Sequence, residues 1–71
     1  MINMITVRPR LSKILSERNM TQTVLAEQAG IPQAAVSRFD KSTQHKDEHL
    51  FRISRALGLS IEDLYEVIET S

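Results

Sequence analysis

The stretch AEQAGIPQAAVSRF, residues 26–39, interrupts a helical sequence with a glycine and a proline. Alanine, glutamate and glutamine, which favour helix, stand on either side of Gly30 and Pro32. Gly30 can adopt the left-handed conformation that ends a helix without a Cβ clash. Pro32 cannot continue that helix, but it suits the first turn of the next one. The stretch therefore predicts two helices joined by a short turn, which is a helix-turn-helix.

The residues around this turn have the sizes and polarity that a steep helix crossing needs. We expect the small Ala26 where the two helices touch, and apolar side chains that fix the pair onto the core. These apolar residues are Leu25, Ile31, Val36 and Phe39. An ordinary helical hairpin could also contain Ala26 and Gly30, so the joint match of all these positions is what indicates the motif, which we assign to residues 21–40.

Apolar residues at helical spacing predict helices along almost the whole chain. The first helix spans about residues 9–18 and buries its leucine and isoleucine side chains. Thr21 is a good N-cap for the second helix, in which Val24 is expected to point inward with its apolar neighbours. The third helix starts near Pro32 or Gln33, where the short turn ends.

Two further helices are predicted in the C-terminal third of the chain. Asp47 can cap a fourth helix, and Gly58 marks its end. Ser60, with Asp63 three residues later, resembles a capping box and is expected to open a fifth helix that buries Leu64. The predicted fold is therefore all-α, with five short helices in one domain that covers the whole chain.

The stretch MITVR, residues 4–8, is the exception to the helical pattern. Ile5 and Val7 alternate with polar neighbours, which is typical of a strand. Two alternatives exist for this end of the chain. It is either a frayed arm, residues 1–8, or a short strand paired with EVIET, residues 66–70.

Composition narrows the classes of function. Seventy-one residues suffice for one modest core but not for a lobed active-site cleft, so we do not expect an enzyme. The chain has no cysteine, which excludes disulfides and thiolate metal sites. No apolar run approaches the roughly 20 residues of a membrane span, and the opening MINMITVRPR lacks the apolar core of a secretory signal. We expect a soluble, cytoplasmic protein with no membrane partner.

The formal net charge is zero, but the charges are distributed unevenly along the chain. Residues 1–46 hold seven Lys and Arg against three Asp and Glu, a net charge of +4. Residues 47–71 hold two against six, a net charge of −4. This asymmetry indicates a basic surface suited to a phosphate backbone, with the acidic end turned away from it. Solvated charges sorted by chance are the alternative.

The segment MTQTVLAEQAGIPQAAVSRF, residues 20–39, resembles the phage repressor and Cro-like helix-turn-helix family, also called the xenobiotic-response-element type. LSKILSERN before it and LFRISRALGLSIEDL after it extend the resemblance to roughly residues 8–68. The resemblance implies a five-helix, repressor-like domain that regulates transcription and comes from a phage, prophage, plasmid or bacterial chromosome. In that family the helix matching residues 33–40 enters the DNA major groove, and a homodimer reads a two-fold symmetric operator.

The resemblance also implies which side chains contact DNA. The base-reading positions fall at Gln33, Ala34, Ser37 and Arg38. Their chemistry agrees, because glutamine can address adenine, arginine guanine, serine several base edges, and alanine the methyl group of thymine. The positions that contact the DNA backbone fall at Thr21, Gln22, Lys41, Ser42, Thr43, Gln44 and Lys46. Arg8 and Arg10 are further candidates for phosphate contacts, with a weaker basis.

One position departs from the family's pattern. Pro32 stands where the family often has a serine or threonine that caps the recognition helix. The cap hydroxyl, and any contact it would make, is therefore absent, and the exact start of the third helix is left open.

The segment HKDEH, residues 45–49, matches the H-x-x-E-H signature of inverted zinc peptidases. Zinc catalysis would require both histidines on one helical face and a third protein ligand. The segment begins in a predicted loop, and no third ligand is in register with it. We interpret it as a polar loop in which His45 lies near phosphate, and we expect no metal, no cofactor and no small-molecule ligand.

The apolar residues near the end of the chain exceed what so small a domain can cover. Tyr65, Val67 and Ile68 are predicted to form a homodimer interface, and the alternative is that this tail folds back on its own domain. A second hypothesis comes from another class of function. The same fold can serve as a protein-interaction module, such as an antitoxin or anti-repressor, with the acidic end as its contact.

Overall fold

The computed structural model describes residues 4–70, which form four α-helices, two short 3-10 turns and a two-stranded antiparallel sheet. The regular elements, in chain order, are β1 (Met4–Pro9), α1 (Leu11–Glu17), α2 (Gln22–Ala29), α3 (Gln33–Ser37), α4 (Asp47–Leu57) and β2 (Tyr65–Thr70). The expected all-α, five-helix fold is wrong, because a strand stands where the fifth helix was predicted. None of the helices in residues 4–70 is long and apolar enough to cross a membrane.

Twelve apolar side chains from all four helices and the connections between them form the core. They are Leu11, Ile14, Leu15, Leu25, Ala26, Ala29, Ile31, Val36, Phe39, Ile53, Leu57 and Leu64. The four residues predicted to fix the helix-turn-helix onto the core are among them, as is Ala26, and that prediction is confirmed. Val24 is instead 41% exposed, so its predicted inward direction is wrong.

The two strands form a ribbon in which β1 and β2 run antiparallel, with Val7 directly opposite Val67. Of the two alternatives for residues 4–8, the strand is therefore the one that the structure contains. Residues 1–3 of the expected arm lie outside the described residues. Successive residues of a strand point to opposite faces, and directly opposed residues share a face.

We call one face of the ribbon the inner face, because the end of that face formed by Pro9 and Tyr65 packs against the loop that precedes α4. A cleft of about 180 Å³ between ribbon and loop is lined by Val7, Pro9, Ser42, Thr43, His45 and Tyr65. The inner face comprises Ile5, Val7, Pro9, Tyr65, Val67 and Glu69, and the outer face comprises Met4, Thr6, Arg8, Glu66, Ile68 and Thr70.

The predicted capping box does form, but it opens a single 3-10 turn instead of a helix. The Ser60 amide donates to the Asp63 carboxylate at 3.1 Å, and the Asp63 amide donates to the Ser60 hydroxyl at 3.2 Å. These bonds, with a smaller contribution from the charge of Arg10, hold the pKa of Asp63 below its ordinary value. Beyond the turn the chain is rich in aromatic and β-branched residues, which favour a strand. Pairing with β1 then satisfies the backbone groups that a helix would have satisfied internally.

Two predicted helix boundaries also differ. α4 begins at Asp47 itself, preceded by Lys46 as an N-cap with no side-chain hydrogen bond, so the predicted capping role of Asp47 is wrong. The end of α4 at Gly58 is confirmed, with φ of +69° in the left-handed region. The first helix is shorter than the expected residues 9–18, because Pro9 belongs to β1.

Candidate nucleic-acid interface

The turn between α2 and α3 has the local geometry that its sequence predicts. The Thr21 hydroxyl accepts a hydrogen bond from the amide of Val24 at 3.1 Å, which confirms Thr21 as the N-cap of α2. Gly30 ends α2 with φ of +69°. Pro32 then precedes α3 in an extended conformation, with φ of −62° and ψ of 142°. α3 therefore begins at Gln33 without a side-chain cap.

α4 supports this turn through Arg52. The Arg52 guanidinium donates to the backbone carbonyl of Ala29, at the end of α2, with a distance of 3.4 Å. Its Nε also pairs with Glu48 at 2.9 Å, one helical turn earlier in α4. A carbonyl at a helix end has no partner within the helix, so Arg52 satisfies a group that would otherwise need water. The Arg52 side chain therefore has a structural role, which the sequence analysis did not identify.

The solvent side of α3 carries three of the residues predicted to read bases, and the fourth, Arg38, is the C-cap that follows the helix. Gln33, Ala34, Ser37 and Arg38 are all exposed. Val36, on the opposite side of the same helix, is only 3% exposed and packs into the core. The Ser37 hydroxyl donates to the Ala34 carbonyl at 3.2 Å, which leaves its oxygen lone pairs able to accept from a base.

A cleft of about 290 Å³ separates α3 from the loop that comes after it. Its lining residues are Pro32, Ala34, Ala35, Arg38, Ser42, Gln44 and His45. The structure thus brings two predicted base-reading residues together with Ser42 and Gln44 of the predicted backbone-contacting loop. Of the other backbone candidates, Gln22 is half-buried, and Thr21, Lys41, Thr43 and Lys46 are exposed.

His45 contacts both Phe39, just after α3, and Tyr65 of the ribbon. Its Nε2 lies 2.7 Å from the carbonyl oxygen of Phe39, and its ring stacks on the Phe39 ring with centroids 4.1 Å apart. A carbonyl can only accept, so Nε2 donates to it, and Nδ1 lies 3.3 Å from the Tyr65 hydroxyl. Burial raises the pKa of Tyr65, which keeps that hydroxyl protonated.

The histidine segment is thus part of an aromatic cluster, whereas the sequence suggested a fully polar loop. His45 is half-buried between Phe39 and Tyr65. Within the described residues 4–70, no group of three or more His, Cys, Asp or Glu side chains is placed to hold a metal ion.

Asp40, in the 3-10 turn that follows α3, caps α1 although the two are far apart in sequence. Its two carboxylate oxygens accept the amides of Leu11 and Ser12 at 2.8 and 2.9 Å. The residue that precedes α1 is Arg10, which forms no side-chain cap. That unsuitable N-cap was the available signal, because the first amides of α1 must find acceptors elsewhere. Asp40 therefore links the 3-10 turn after α3 to α1.

Two cations of the basic half of the chain, residues 1–46, donate hydrogen bonds within the molecule. Arg18 donates to a carbonyl at the end of α4 at 2.7 Å, and Arg10 donates to a carbonyl of the turn before β2 at 3.0 Å. The exposed cations beside α3 and its loop are Arg38, Lys41 and Lys46. Three of the seven Lys and Arg side chains in residues 1–46 therefore lie at this surface.

Comparison with known proteins agrees with this geometry. Residues 10–70 match the family described as the Cro/C1-type HTH DNA-binding domain, which includes the helix-turn-helix, α4 and β2. A comparison with curated proteins and another with solved structures each found no match. Domains of this family bind DNA in transcription regulation and are typically not enzymes. The chain therefore belongs to the Cro/C1-type helix-turn-helix family of DNA-binding regulators.

Proposed function

We propose that this protein represses transcription by occupying a two-fold symmetric operator as a homodimer, with α3 in the major groove of each half-site. The observation that supports this most directly is the solvent side of α3. Gln33, Ala34 and Ser37 lie there together, followed directly by Arg38 at the C-cap, and the opposite side of the helix is buried through Val36. The base edges can therefore be reached without any rearrangement of the core. Repression results where the operator overlaps a promoter.

The base-reading roles divide by chemistry. Gln33 pairs with adenine through N6 and N7, and Arg38 pairs with guanine through O6 and N7. Ser37 reaches a polar base edge, and the Ala34 methyl contacts the methyl group of thymine. Each bidentate contact contributes about 1 to 3 kcal/mol of discrimination between base pairs.

The DNA backbone is contacted by two segments that flank α3. The start of α2 offers Thr21 and Gln22, and the loop after α3 offers Lys41, Ser42, Thr43, Gln44 and Lys46. Such contacts fix the position and orientation of the protein but carry no sequence information. The cleft shared by α3 and Gln44 supports this division, because a phosphate contact on one wall orients the reading helix on the other.

The homodimer interface is assigned to the ribbon. Val67 and Ile68 are each 39% exposed, although both are apolar. Tyr65 lies half-buried at the base of the ribbon, where its ring packs against Phe39 and His45. A dimer through the ribbon would present two copies of α3, which must lie roughly 34 to 36 Å apart to enter successive major grooves.

Selection of bound duplexes from a random DNA pool, at about physiological salt, tests this proposal. We expect enrichment of a palindrome whose half-site spacing reports the separation of the two α3 helices. Enrichment of a single half-site would retain the reading face and remove the dimer. No enrichment, from protein shown by circular dichroism to be folded, would contradict sequence-specific binding.

Two glutamine variants then test the assignment of the reading face. Gln33→Ala should relax the preference at one base pair, whereas Gln28→Ala, an exposed residue of α2, should leave the selected sequence unchanged. Lys41→Ala should weaken binding to all sequences alike. If Gln33→Ala also weakens every sequence equally, the assignment of Gln33 to base reading is wrong.

A protein-interaction role is the alternative, and the exposed apolar side chains of the ribbon favour it. Salt distinguishes the two functions. The logarithm of the DNA affinity should fall with the logarithm of the salt concentration, with a slope of about 0.9 for each phosphate neutralised. A mainly apolar contact with a protein would respond little to salt.

A further inference from the structure

The ribbon has two free edges, because no other strand within residues 4–70 pairs with either β1 or β2. A two-stranded ribbon is marginally stable by itself, and an unpaired edge is a template for another strand. The end of the ribbon that begins at Met4 is strongly exposed: Met4 is 66% exposed and Ile5 is 61% exposed. The question is which edge, if either, is built to receive a partner.

The alternation of hydrogen-bonded and non-hydrogen-bonded residue pairs along the ribbon shows which backbone groups are free on each edge. The Arg10 amide donates to the Leu64 carbonyl at 2.9 Å, directly beyond the last register pair of Pro9 with Tyr65. Because bonded and non-bonded pairs alternate in an antiparallel ladder, the even-numbered residues of β1 bond to β2. The amide and carbonyl of Ile5 and Val7 therefore point outward from the edge of β1. Pro9, which has no amide hydrogen, occupies the same class of position.

The two edges differ in charge. Residues 4–7 of β1 carry no charged side chain. β2 carries Glu66 and Glu69 and no cation, so two copies of β2 placed side by side would bring four carboxylates into one short segment. Acidic side chains on an edge oppose pairing with another copy, since like charges across strands are destabilising. β2 therefore has this protection along its length, whereas in β1 the only charge, Arg8, and the only proline, Pro9, lie at the end next to α1 and leave residues 4–7 unprotected.

We propose that two copies of this chain pair through their β1 edges, so that the two ribbons form one continuous four-stranded antiparallel sheet. This inference rests on the proposed homodimer and names its interface. The outward groups of Ile5 bond to those of Val7 in the partner copy, and Thr6 faces its own symmetry mate at the two-fold axis. Two such pairs form, one on each side of the axis. In each pair, Ile5 of one copy and Val7 of the other form two backbone hydrogen bonds with each other. Ile68, opposite Thr6 in each ribbon, flanks that axis on the outer face.

This arrangement also places the reading regions consistently with a two-fold operator. The axis that relates two antiparallel strands of one sheet is perpendicular to the sheet, so both inner faces lie on the same side. The loop containing Ser42 and His45 packs against the inner face and also lines the cleft beside α3. Both copies of that loop, and both clefts, are therefore on one side of the assembly.

A single engineered cysteine provides a direct test, because the natural chain has none. Thr6 and its symmetry mate would form a non-hydrogen-bonded pair with Cα atoms about 4.5 Å apart, within the usual range for a disulfide. Thr6→Cys should therefore oxidise readily to a covalent dimer. Ile68→Cys, directly opposite on the same face of the ribbon, is the matched control and should link much more slowly. Equal rates for the two variants, or faster linking of Ile68→Cys, would overturn the proposal.

A second pair of variants tests the edge through its backbone. Ile5→Pro removes an outward amide from β1 without breaking the bonds to β2, and Glu69→Pro does the same on the edge of β2, directly opposite. By sedimentation equilibrium, Ile5→Pro should raise the dimer dissociation constant roughly 10- to 100-fold, through the loss of two intermolecular bonds. Glu69→Pro should leave the constant unchanged. The reverse result would assign the interface to β2 and overturn the proposal.

The DNA-binding function can fail separately from this interface. Binding of the selected DNA site by Ile5→Pro and Glu69→Pro, monitored by fluorescence anisotropy, makes the distinction. A dimer that survives Ile5→Pro and binds its operator would overturn the β1 interface and leave the proposed function intact. A natural chain that stays monomeric, both free and on DNA, would overturn the interface and the homodimer together.

Discussion

The helix-turn-helix and the ribbon are built in opposite ways. In the helix-turn-helix, each helix has a buried side, and the ends of α1 and α2 are satisfied by Asp40 and Arg52 from other parts of the chain. In the ribbon, residues on both faces are exposed, and apolar side chains such as Met4 and Ile68 meet solvent. The first region is stable within one copy of the chain. The second leaves apolar side chains exposed in a single copy.

Under the proposed function, this difference separates a rigid base-reading element from an adaptable assembly element. A base-reading helix must hold its side chains in fixed positions, since misplaced donors and acceptors lose their hydrogen bonds. A strand edge needs only free backbone groups and the absence of repelling charges. The connection between the two is the His45 and Tyr65 contact, through which the ribbon touches the loop beside α3.

Phe39→Ala should produce the largest effect, because it empties the core beneath α3. Phe39 is 2% exposed, and we expect the free energy of unfolding to fall by about 3 to 5 kcal/mol. Urea denaturation monitored by circular dichroism measures this loss. Phe51→Ala is the matched control, since Phe51 is 52% exposed and should cost about 0.5 kcal/mol or less. Similar losses for the two variants would mean that the helical region is not tightly packed.

Asp40→Ala should have the next largest effect, through the loss of the cap on α1. We expect a fall of about 1 to 2 kcal/mol in the free energy of unfolding, because two helix amides lose their acceptors. Asp47→Ala removes an exposed carboxylate from the first turn of α4 and serves as the control. An Asp40→Ala variant as stable as Asp47→Ala would show that the long-range cap contributes nothing.

Ile68→Thr should change the stability of a single copy very little. The side chain is 39% exposed, so at protein concentrations too low for association the free energy of unfolding should change by about 0.5 kcal/mol or less. Ile53→Thr, at a fully buried position, is the contrasting variant and should be strongly destabilising. A large loss for Ile68→Thr would place the ribbon among the tightly packed parts of one copy.

The smallest effect is expected at Asp63, which is fully exposed. Its pKa is lower in the folded state than its ordinary 3.8, so its contribution to stability is present above that pH and is lost as the pH falls through the folded pKa. The advantage of the natural chain over Asp63→Asn should therefore disappear in acid. Unfolding measured between about pH 2 and pH 7 tests this, and a difference that persists at the acidic end would contradict it.

The parts of the fold that the sequence predicted correctly depend on local signals. Thr21, Gly30 and Gly58 act on residues within a turn of themselves, and the structure places each of them at the helix end expected. The exposed side of α3 can be derived in the same way from the spacing of its residues. These signals suffice for the reading helix and the turn that holds it.

The parts that failed depend on partners distant in sequence. The capping box of Ser60 and Asp63 is real, but the conformation of the chain beyond it is decided by pairing with β1; the sequence offered that pairing for residues 66–70 as one alternative, and the local signals there could not decide between strand and helix. The roles of Asp40 and Arg52 are likewise set by helices 29 and 23 residues away. Their residue types were visible in the sequence, but their acceptors and donors were not.

The pairing of β1 with β2 also has a consequence for the order of folding. Pro9 and Tyr65, the register pair closest in sequence, are still 56 positions apart. Closing so long a loop costs chain entropy before any strand contact is gained, whereas each helix forms from neighbouring residues. The ribbon should therefore be the last element to form and the first to exchange its amide hydrogens. A newly made chain would then complete α3 before it forms the ribbon edge that we propose for association.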